Sequence, residues 1–331
     1  MPITVIGSLN YDLVTYTEKV PEAGETFQAN SFENHLGGKG LNEALASSRL
    51  LPEEYKGTVR MIGNVGNDSF GKELKQALVD AEVDTSFVQT IDSQSSGVAV
   101  ILVEEETGEN RILITAGANG ELKPTEEDYE KYFPETKKKA SKEKSVDFVI
   151  LQNEYPEPLE TISWVKTNRP SINIAYNPSP FKPELVNSNT FSQIDLLILN
   201  EGEANAVASK LFGKTYEEFN ELAVQLSKLI NQDNICTVVI TLGSKGSVFV
   251  SKRSESSSDT ASFVPSIKVA KVVDTTGAGD TFFGGVVSQL SVGSNIEEAV
   301  KFATVASSLT IRSKGAAESI PTYEAVKKER S

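Results

Sequence analysis

The chain of 331 residues contains one cysteine and one histidine. A single thiol cannot close an intramolecular disulfide, and one thiol with one imidazole cannot build a zinc site. Disulfide scaffolds and His/Cys metal centres are therefore excluded. Cys236 lies in the run Ile235-Cys236-Thr237-Val238-Val239-Ile240, where it reads as a small core residue and not as a nucleophile. Basic residues are also scarce: 32 Lys and Arg against 46 Asp and Glu give a net charge of -14. No basic face invites nucleic acid or anionic lipid. No run of about eighteen apolar residues exists, and the N-terminal segment Met1-Pro2-Ile3-Thr4-Val5-Ile6-Gly7 lacks a basic region followed by a long apolar stretch. The expectation is a chain with no nucleic-acid partner and no membrane span, cytoplasmic or cytoplasmic and nuclear. Without secretion, the glycosylation sequon Asn67-Asp68-Ser69 carries no meaning.

What the chain does have is alternation. Ile3-Ile6, Val146-Leu151, Ile172-Tyr176, Leu196-Leu199, Thr237-Leu242, Val248-Val250 and Val269-Val273 read as buried strands. Helical patterns lie between them at Leu41-Leu50, Gly71-Ala81, Glu157-Thr167, Thr215-Ile230 and Ile296-Ile311. This βαβ order predicts an α/β fold with a central, mostly parallel sheet covered on both faces. Glu25-Asn34 and Gly97-Thr115 break the pattern: they alternate apolar and polar residues around a turn at Glu106-Thr107-Gly108-Glu109. They predict antiparallel strands with one solvated face, which can serve as a lid, a dimer contact or a plain surface hairpin. The charge-rich stretch Lys137-Lys144 and the serine-rich stretch Ser251-Asp259 read as solvated loops. No linker is long enough to separate independent domains.

The strongest chemical signal is Asp274-Thr275-Thr276-Gly277-Ala278-Gly279-Asp280, between an apolar run and the helix-like run Thr281-Val287. Two glycines let the backbone turn so that the first amides of the helix converge, and the helix dipole adds positive potential. Such a turn holds an anion. Asp280 at its edge can accept a proton from an attacking hydroxyl; the simpler alternative is a helix N-cap. Other nucleotide signatures fail. Gly213-Lys214-Thr215 resembles the end of a P-loop, but the required earlier glycine is Ala208; Gly277-Ala278-Gly279 opens a dinucleotide fingerprint whose third glycine is Phe282.

Polar residues recur where strands end. Asn10 and Asp12 follow the first strand and can hold vicinal hydroxyls or simply cap a turn. Leu36-Gly37-Gly38-Lys39-Gly40-Leu41-Asn42 is a glycine turn opening a helix, with Asn42 able to donate and accept; Lys39 alone can be a solvated charge. Glu154 ends another strand segment, as a site residue or a surface glutamate. Asn200-Glu201-Gly202-Glu203 opens a helix and can orient phosphate oxygens or magnesium-bound water, while Glu203 also suits a helix N-terminus. Thr241-Leu242-Gly243-Ser244-Lys245-Gly246 is a glycine turn after a strand, and can be only a hairpin.

Taken in order, Gly37-Gly38-Lys39-Gly40-Leu41-Asn42, the heptapeptide at 274-280 with Thr281 and Phe282, and Lys314-Gly315-Ala316-Ala317 resemble the ribokinase-like (PfkB) carbohydrate kinases over nearly the whole chain. The resemblance implies a three-layer α/β/α sandwich spanning 1-331 as one kinase domain. A small β lid, from about 11-34 and 95-115, is inserted in it and builds a homodimer. It implies ATP-dependent phosphorylation of D-ribose at the 5-hydroxyl, giving ribose 5-phosphate and ADP. Other small sugars or nucleosides (fructose, deoxyribose, adenosine) and a non-catalytic sugar sensor are the alternatives. Carried over by position, Leu9, Asn10, Asp12, Gly38, Lys39, Gly40, Asn42 and Glu154 bind the sugar, and Asp280 is the base. Gly277, Ala278 and Gly279 form the anion hole. Asn200, Thr241 through Gly246, Gly279, Asp280 and Thr304 face the nucleotide. Asn200 and Glu203 match an Asn-x-x-Glu motif for Mg2+ and phosphate; Asp274, Thr276, Thr310, Ser313, Gly315 and Ser319 supply oxygens to K+. Two departures stand out: Glu43 where the family has Gln, and Thr304 where the adenine pocket often has Asn or His.

Overall fold

A computed structural model gives the structure, which describes residues 2–107, 109–135, 146–252 and 260–330. The chain alternates between two sheets. The main one holds β1 (Ile3–Ile6), β4 (Val59–Gly66), β5 (Asp84–Ile91), β8 (Phe148–Leu151), β9 (Asn173–Tyr176), β10 (Leu196–Asn200), β11 (Thr237–Thr241), β12 (Gly246–Ser251) and β13 (Ser262–Pro265), in the order β13-β12-β11-β10-β9-β8-β1-β4-β5. β11 to β5 run parallel, and β12 and β13 are antiparallel at one edge. The smaller sheet holds β2 (Asn10–Thr17), β3 (Ser31–Gly37), β6 (Gly97–Glu104) and β7 (Asn110–Thr115), in the order β3-β2-β6-β7.

The period of two along each strand sorts the core into two layers. Phe148 and Ile150 of β8 pack with Val5, Met61 and Val239 against α1 (Lys39–Arg49), α2 (Ser69–Asp80), α8 (Ala278–Ser291), α9 (Ile296–Thr310), α10 (Ala316–Ser319) and α11 (Tyr323–Arg330). Val149 and Leu151 point the other way. They meet Tyr176, Leu199 and Ile240 and the helices α3 (Glu126–Tyr132), α4 (Pro158–Asn168), α5 (Ser188–Phe191), α6 (Glu201–Phe212) and α7 (Phe219–Ser227). Strands buried on both faces read as continuous Val/Ile/Leu runs, which is why most of them are visible in the sequence. The result is a three-layer sandwich with a separate small sheet.

Three expectations are corrected. Val269-Val273 is not a buried strand but an extended loop with Val272 and Val273 exposed. Val269 and Val272 line a cavity rather than the core. The helix expected over Thr215-Ile230 spans only Phe219–Ser227. In the small sheet, β2 pairs parallel to β6, while β2-β3 and β6-β7 are antiparallel, and large apolar side chains are exposed on β7, at Ile112, Leu113 and Ile114, and on β3, at Phe32. The stretch at 137–144 and most of that at 251–259 lie outside the described residues. Cys236 is buried as expected. Gly213 ends α6 in the left-handed conformation, so the P-loop resemblance there is a helix terminus.

Candidate active site

The chain order of the sheet reverses at β1, whose neighbours are β8 and β4. Ligands in open α/β sheets bind at such a switch point, beyond the carboxyl ends of the strands. The predicted polar residues converge there. Asn10 and Asp12 lie on β2 just past β1, Glu154 follows β8, and Asn200 ends β10. Asn10 is buried, and its Oδ1 accepts from Asn119 Nδ2 at 2.9 Å. Asn119 also engages both the amide and the carbonyl of Leu9, and the Leu9 side chain packs in the core. The backbone of Leu9 is thus already satisfied.

Asp12 lies over Gly37, where any Cβ would overlap its carboxylate. The glycine gives the acid room, and burial exacts a proton: desolvation first, then the charges of Glu154, Glu318 and Asp280, push Asp12 up to about 7. Glu154 Oε2 accepts from Ser8 Oγ and, at 2.9 Å, from the amide of Lys39. It therefore fixes the glycine turn at the start of α1 and is not a surface glutamate.

Asp280 is not an N-cap. The cap of α8 is Gly277, in the left-handed conformation at φ 74, and it makes no side-chain cap bond. The Asp280 carboxylate points across to α1, where Asn42 Nδ2 donates to Oδ2 at 2.8 Å and Lys39 Nζ lies 3.6 Å from Oδ1. Burial lowers Lys39; the carboxylates of Asp280 and Glu154 outweigh it and hold the ammonium above its usual range. Lys39 is thus no solvated charge.

On the other side of the start of α8 lies a cavity of about 580 Å³. Thr241, Gly243, Ser244 and Gly246 from the β11-β12 hairpin line it, with Ala278, Gly279 and Thr304. The remaining walls are apolar and polar groups that were not among the expected nucleotide residues, among them Ile267, Val269, Val272, Thr275, Phe282 and Ser307. The apolar run misread as a strand is part of this wall. Leu242 and Lys245 do not line it; Leu242 is buried and Lys245 pairs with Glu201 at 3.2 Å. Of the expected anion-hole amides, that of Ala278 donates to Thr275 O at 3.3 Å, and Thr281 N is the first to find a helical carbonyl, Gly277 O, at 2.8 Å. Gly279 and Asp280 stand in the first turn, where amides have no carbonyl of their own helix.

Asn200 and Glu203 form a capping box at the start of α6, and Glu203 Oε2 also accepts from Asn177 Nδ2 at 3.1 Å. Asp274 ties two turns together: Oδ1 accepts from Thr276 N and Oγ1 at 2.9 and 2.6 Å, and Oδ2 from Gly315 N at 3.0 Å. Thr310 Oγ1 turns inward to Thr281, and Ser319 Oγ bonds Ala316 O. Ser313 closes the end of α9 through its amide on Thr310 O at 3.2 Å. Asp274, Thr276 and Gly315 are therefore brought together, while the hydroxyls of Thr310 and Ser319 are engaged locally. Asn119, in an isolated Gly-Ala-Asn-Gly turn, and Gln152, inside a strand end, carry no motif that would have marked them.

The pfkB family carbohydrate kinase model matches residues 2–323. The chain is 36% identical over 324 residues to a ribokinase of Schizosaccharomyces pombe, covering 97% of this chain and 95% of that protein. It is 31% identical to a deoxyribokinase of Salmonella typhi, covering 98% and 97%. Among solved structures, Arabidopsis thaliana ribokinase complexed with ribose and ATP is similar with a TM-score of 0.80 and 29% identity, covering 99% of this chain and 97% of that one.

Proposed function

The chain belongs to the pfkB family of carbohydrate kinases, and on that premise we propose that it transfers the ATP γ-phosphoryl group to the 5-hydroxyl of D-ribose, giving D-ribose 5-phosphate and ADP. One observation carries the reading. Residues 278 and 279 line the large cavity, and the next residue, Asp280, turns its carboxylate away toward Asn42 and the polar strand ends. A nucleotide in the cavity and a sugar on Asn10, Asp12, Gly38, Gly40, Asn42 and Glu154 would thus meet at one helix start. Asp280 takes the hydroxyl proton there, while the first-turn amides and the α8 dipole face the charge developing on the transferred group. Lys39 Nζ, 3.6 Å from Asp280, adds a positive charge at the junction.

Asn200 and Glu203 suit a hydrated Mg2+: one carboxylate oxygen of Glu203 is free of the capping box, and magnesium keeps most of its waters. When bound, the ion would neutralise phosphate charge. The kinase acts as a single domain over 1–331 with the lid inserted in it. The lid closes over the sugar, and β7, exposed at Ile112, Leu113 and Ile114, pairs with a second copy, which a dimer mass in light scattering checks. Release of ADP from ATP in the presence of ribose, deoxyribose, fructose and adenosine tests the function: ribose should give the highest kcat/KM. Preference for deoxyribose would transfer the reading to that sugar, and no turnover on any of the four would sink it.

The raised Asp12 carboxyl makes sugar binding depend on pH. As pH rises from about 6 to about 8 through the folded-state value near 7, Asp12 loses its proton and becomes a full acceptor for sugar hydroxyls. Ribose affinity should rise by up to about tenfold over that window, measured calorimetrically, and Asp12→Asn should be weak and flat. A flat wild-type profile would show that Asp12 does not meet the sugar.

A monovalent cation, K+, would sit beside the anion hole, held by oxygens around Asp274. The fit rests on the Asp274 carboxylate, which the amides of Thr276 and Gly315 hold in place and whose oxygens suit a hard cation. Activity should increase several-fold when potassium replaces tetramethylammonium at constant ionic strength, and Asp274→Ala should abolish the response. Equal rates in both salts would remove the cation from the mechanism.

A further inference from the structure

Behind the sugar site lies a carboxyl that the chemistry above does not use. Glu43, on the first turns of α1, is 1% exposed. Its Oε2 accepts from Gln152 Nε2 at the end of β8, while its Oε1 and the Oε1 of Gln152 are both buried without a partner. Buried acceptors left unpaired are costly, and two on one hydrogen-bonded pair of side chains need a donor. A single proton on Glu43 supplies it: an acid and an amide can pair through both of their edges, with the acid donating to the amide oxygen. We propose that Glu43 is a positioning residue of the sugar site, a carboxylic acid that keeps its proton and clamps the first turn of α1 to the end of β8 through Gln152.

The neighbours explain what the clamp secures. Lys39 and Asn42, which hold Asp280, flank Glu43 on α1, and Glu154, which holds the Lys39 amide, is two residues from Gln152. Lys39 and Asn42 are therefore within four residues of one member of this pair, and Glu154 within two of the other. The titratable groups facing Glu43 are Lys39 from its own helix, Asp280 from α8 and Glu154 from the segment after β8. Burial, then the Asp280 charge, raises the Glu43 carboxyl well above the usual glutamate range; Lys39 opposes them and does not prevail. A neutral acid also leaves the Lys39 ammonium to Asp280 and Glu154.

Glu43→Gln keeps the shape and neutrality of the protonated acid, whereas Glu43→Ala leaves Gln152 unpaired. The inference rests on the sugar-kinase reading only for its substrate measurements. Melting temperatures of the whole protein need no substrate. A folded-state value raised above the unfolded one means that the acid's contribution is full below the usual glutamate range and is lost as pH rises toward the folded value. The Glu43→Gln protein, which has no such loss, should therefore melt progressively higher than wild type between about pH 5 and about pH 9. With ribose and ATP, Glu43→Ala should raise the ribose KM about tenfold while changing kcat and the ATP KM by about threefold or less, and Glu43→Gln should restore the ribose KM. A gap in melting temperature that does not change with pH, or a ribose KM as poor in Glu43→Gln as in Glu43→Ala, would overturn the proposal. If wild type phosphorylates no sugar, the kinase reading fails, and the melting curves still decide whether Glu43 keeps its proton.

Discussion

Asp280→Asn should lower kcat by about a hundredfold or more, the loss expected when a general base is removed, with ribose and ATP still bound. The geometry predicts this division. Asn42 Nδ2 can donate to an amide oxygen as it does to the carboxylate, so the 2.8 Å bond from α1 to α8 has a surviving acceptor and the two helices keep their spacing. The proposed sugar contacts come from β2, α1 and the segment after β8, and the cavity proposed for the nucleotide is lined on α8 by Ala278, Gly279 and Phe282 but not by Asp280. Asp280 itself supplies none of these contacts. What is lost is the acceptor for the hydroxyl proton. In a loose phosphoryl-transfer transition state the nucleophile needs orientation as much as activation, so turnover should fall without vanishing. Rapid-quench measurement of the phosphoryl-transfer step, with calorimetry on both ligands, checks it; wild-type turnover in the variant would remove Asp280 as the base.

How much of this was legible in the sequence follows from where each signal comes from. Strands buried on both faces announce themselves as Val/Ile runs, and six of the seven predicted ones are strands of the main sheet. β4 and β5 escaped because Val59–Gly66 carries Arg60, two glycines and Asn64, and Asp84–Ile91 is a half-exposed edge strand whose apolar residues are sparse. Val269-Val273 failed for the converse reason. A ligand-facing wall needs the same apolar side chains as a core strand, and only tertiary structure tells one use from the other. In the site, residues with local backbone signatures were found: Gly37 and Gly38 before a helix, Gly277 and Gly279 after an apolar run. Asn119, Gln152 and the role of Glu43 depend on partners 109 or 110 positions away, and no local pattern encodes such pairings. The direction in which Asp280 points likewise depends on Asn42, 238 positions distant.

Gly277→Ala should be as damaging to turnover as loss of the base, by a different route. Gly277 sits at φ 74, and a Cβ there would lie 2.8 Å from Ala316 Cα, a backbone neighbour that cannot rotate away. An L-residue in the left-handed region costs about 1 kcal/mol before any clash. The turn must shift, and with it the first-turn amides of Gly279 and Asp280, which in the proposed mechanism would face the transferred group. Displacing one such donor costs about a hundredfold in kcat, and here the base moves with the amides. Asp274 makes the shift propagate, because its Oδ1 holds Thr276 and its Oδ2 holds Gly315, next to Ala316. Gly279→Ala provides the contrast: no atom lies within 4 Å of its Cβ position, so the unliganded protein should melt as wild type does. Gly277→Ala should melt lower and lose kcat at least about a hundredfold, while ribose affinity, set by β2 and α1, changes little. If the two variants melt alike, the packing of Gly277 on Ala316 does not set the geometry of the anion hole.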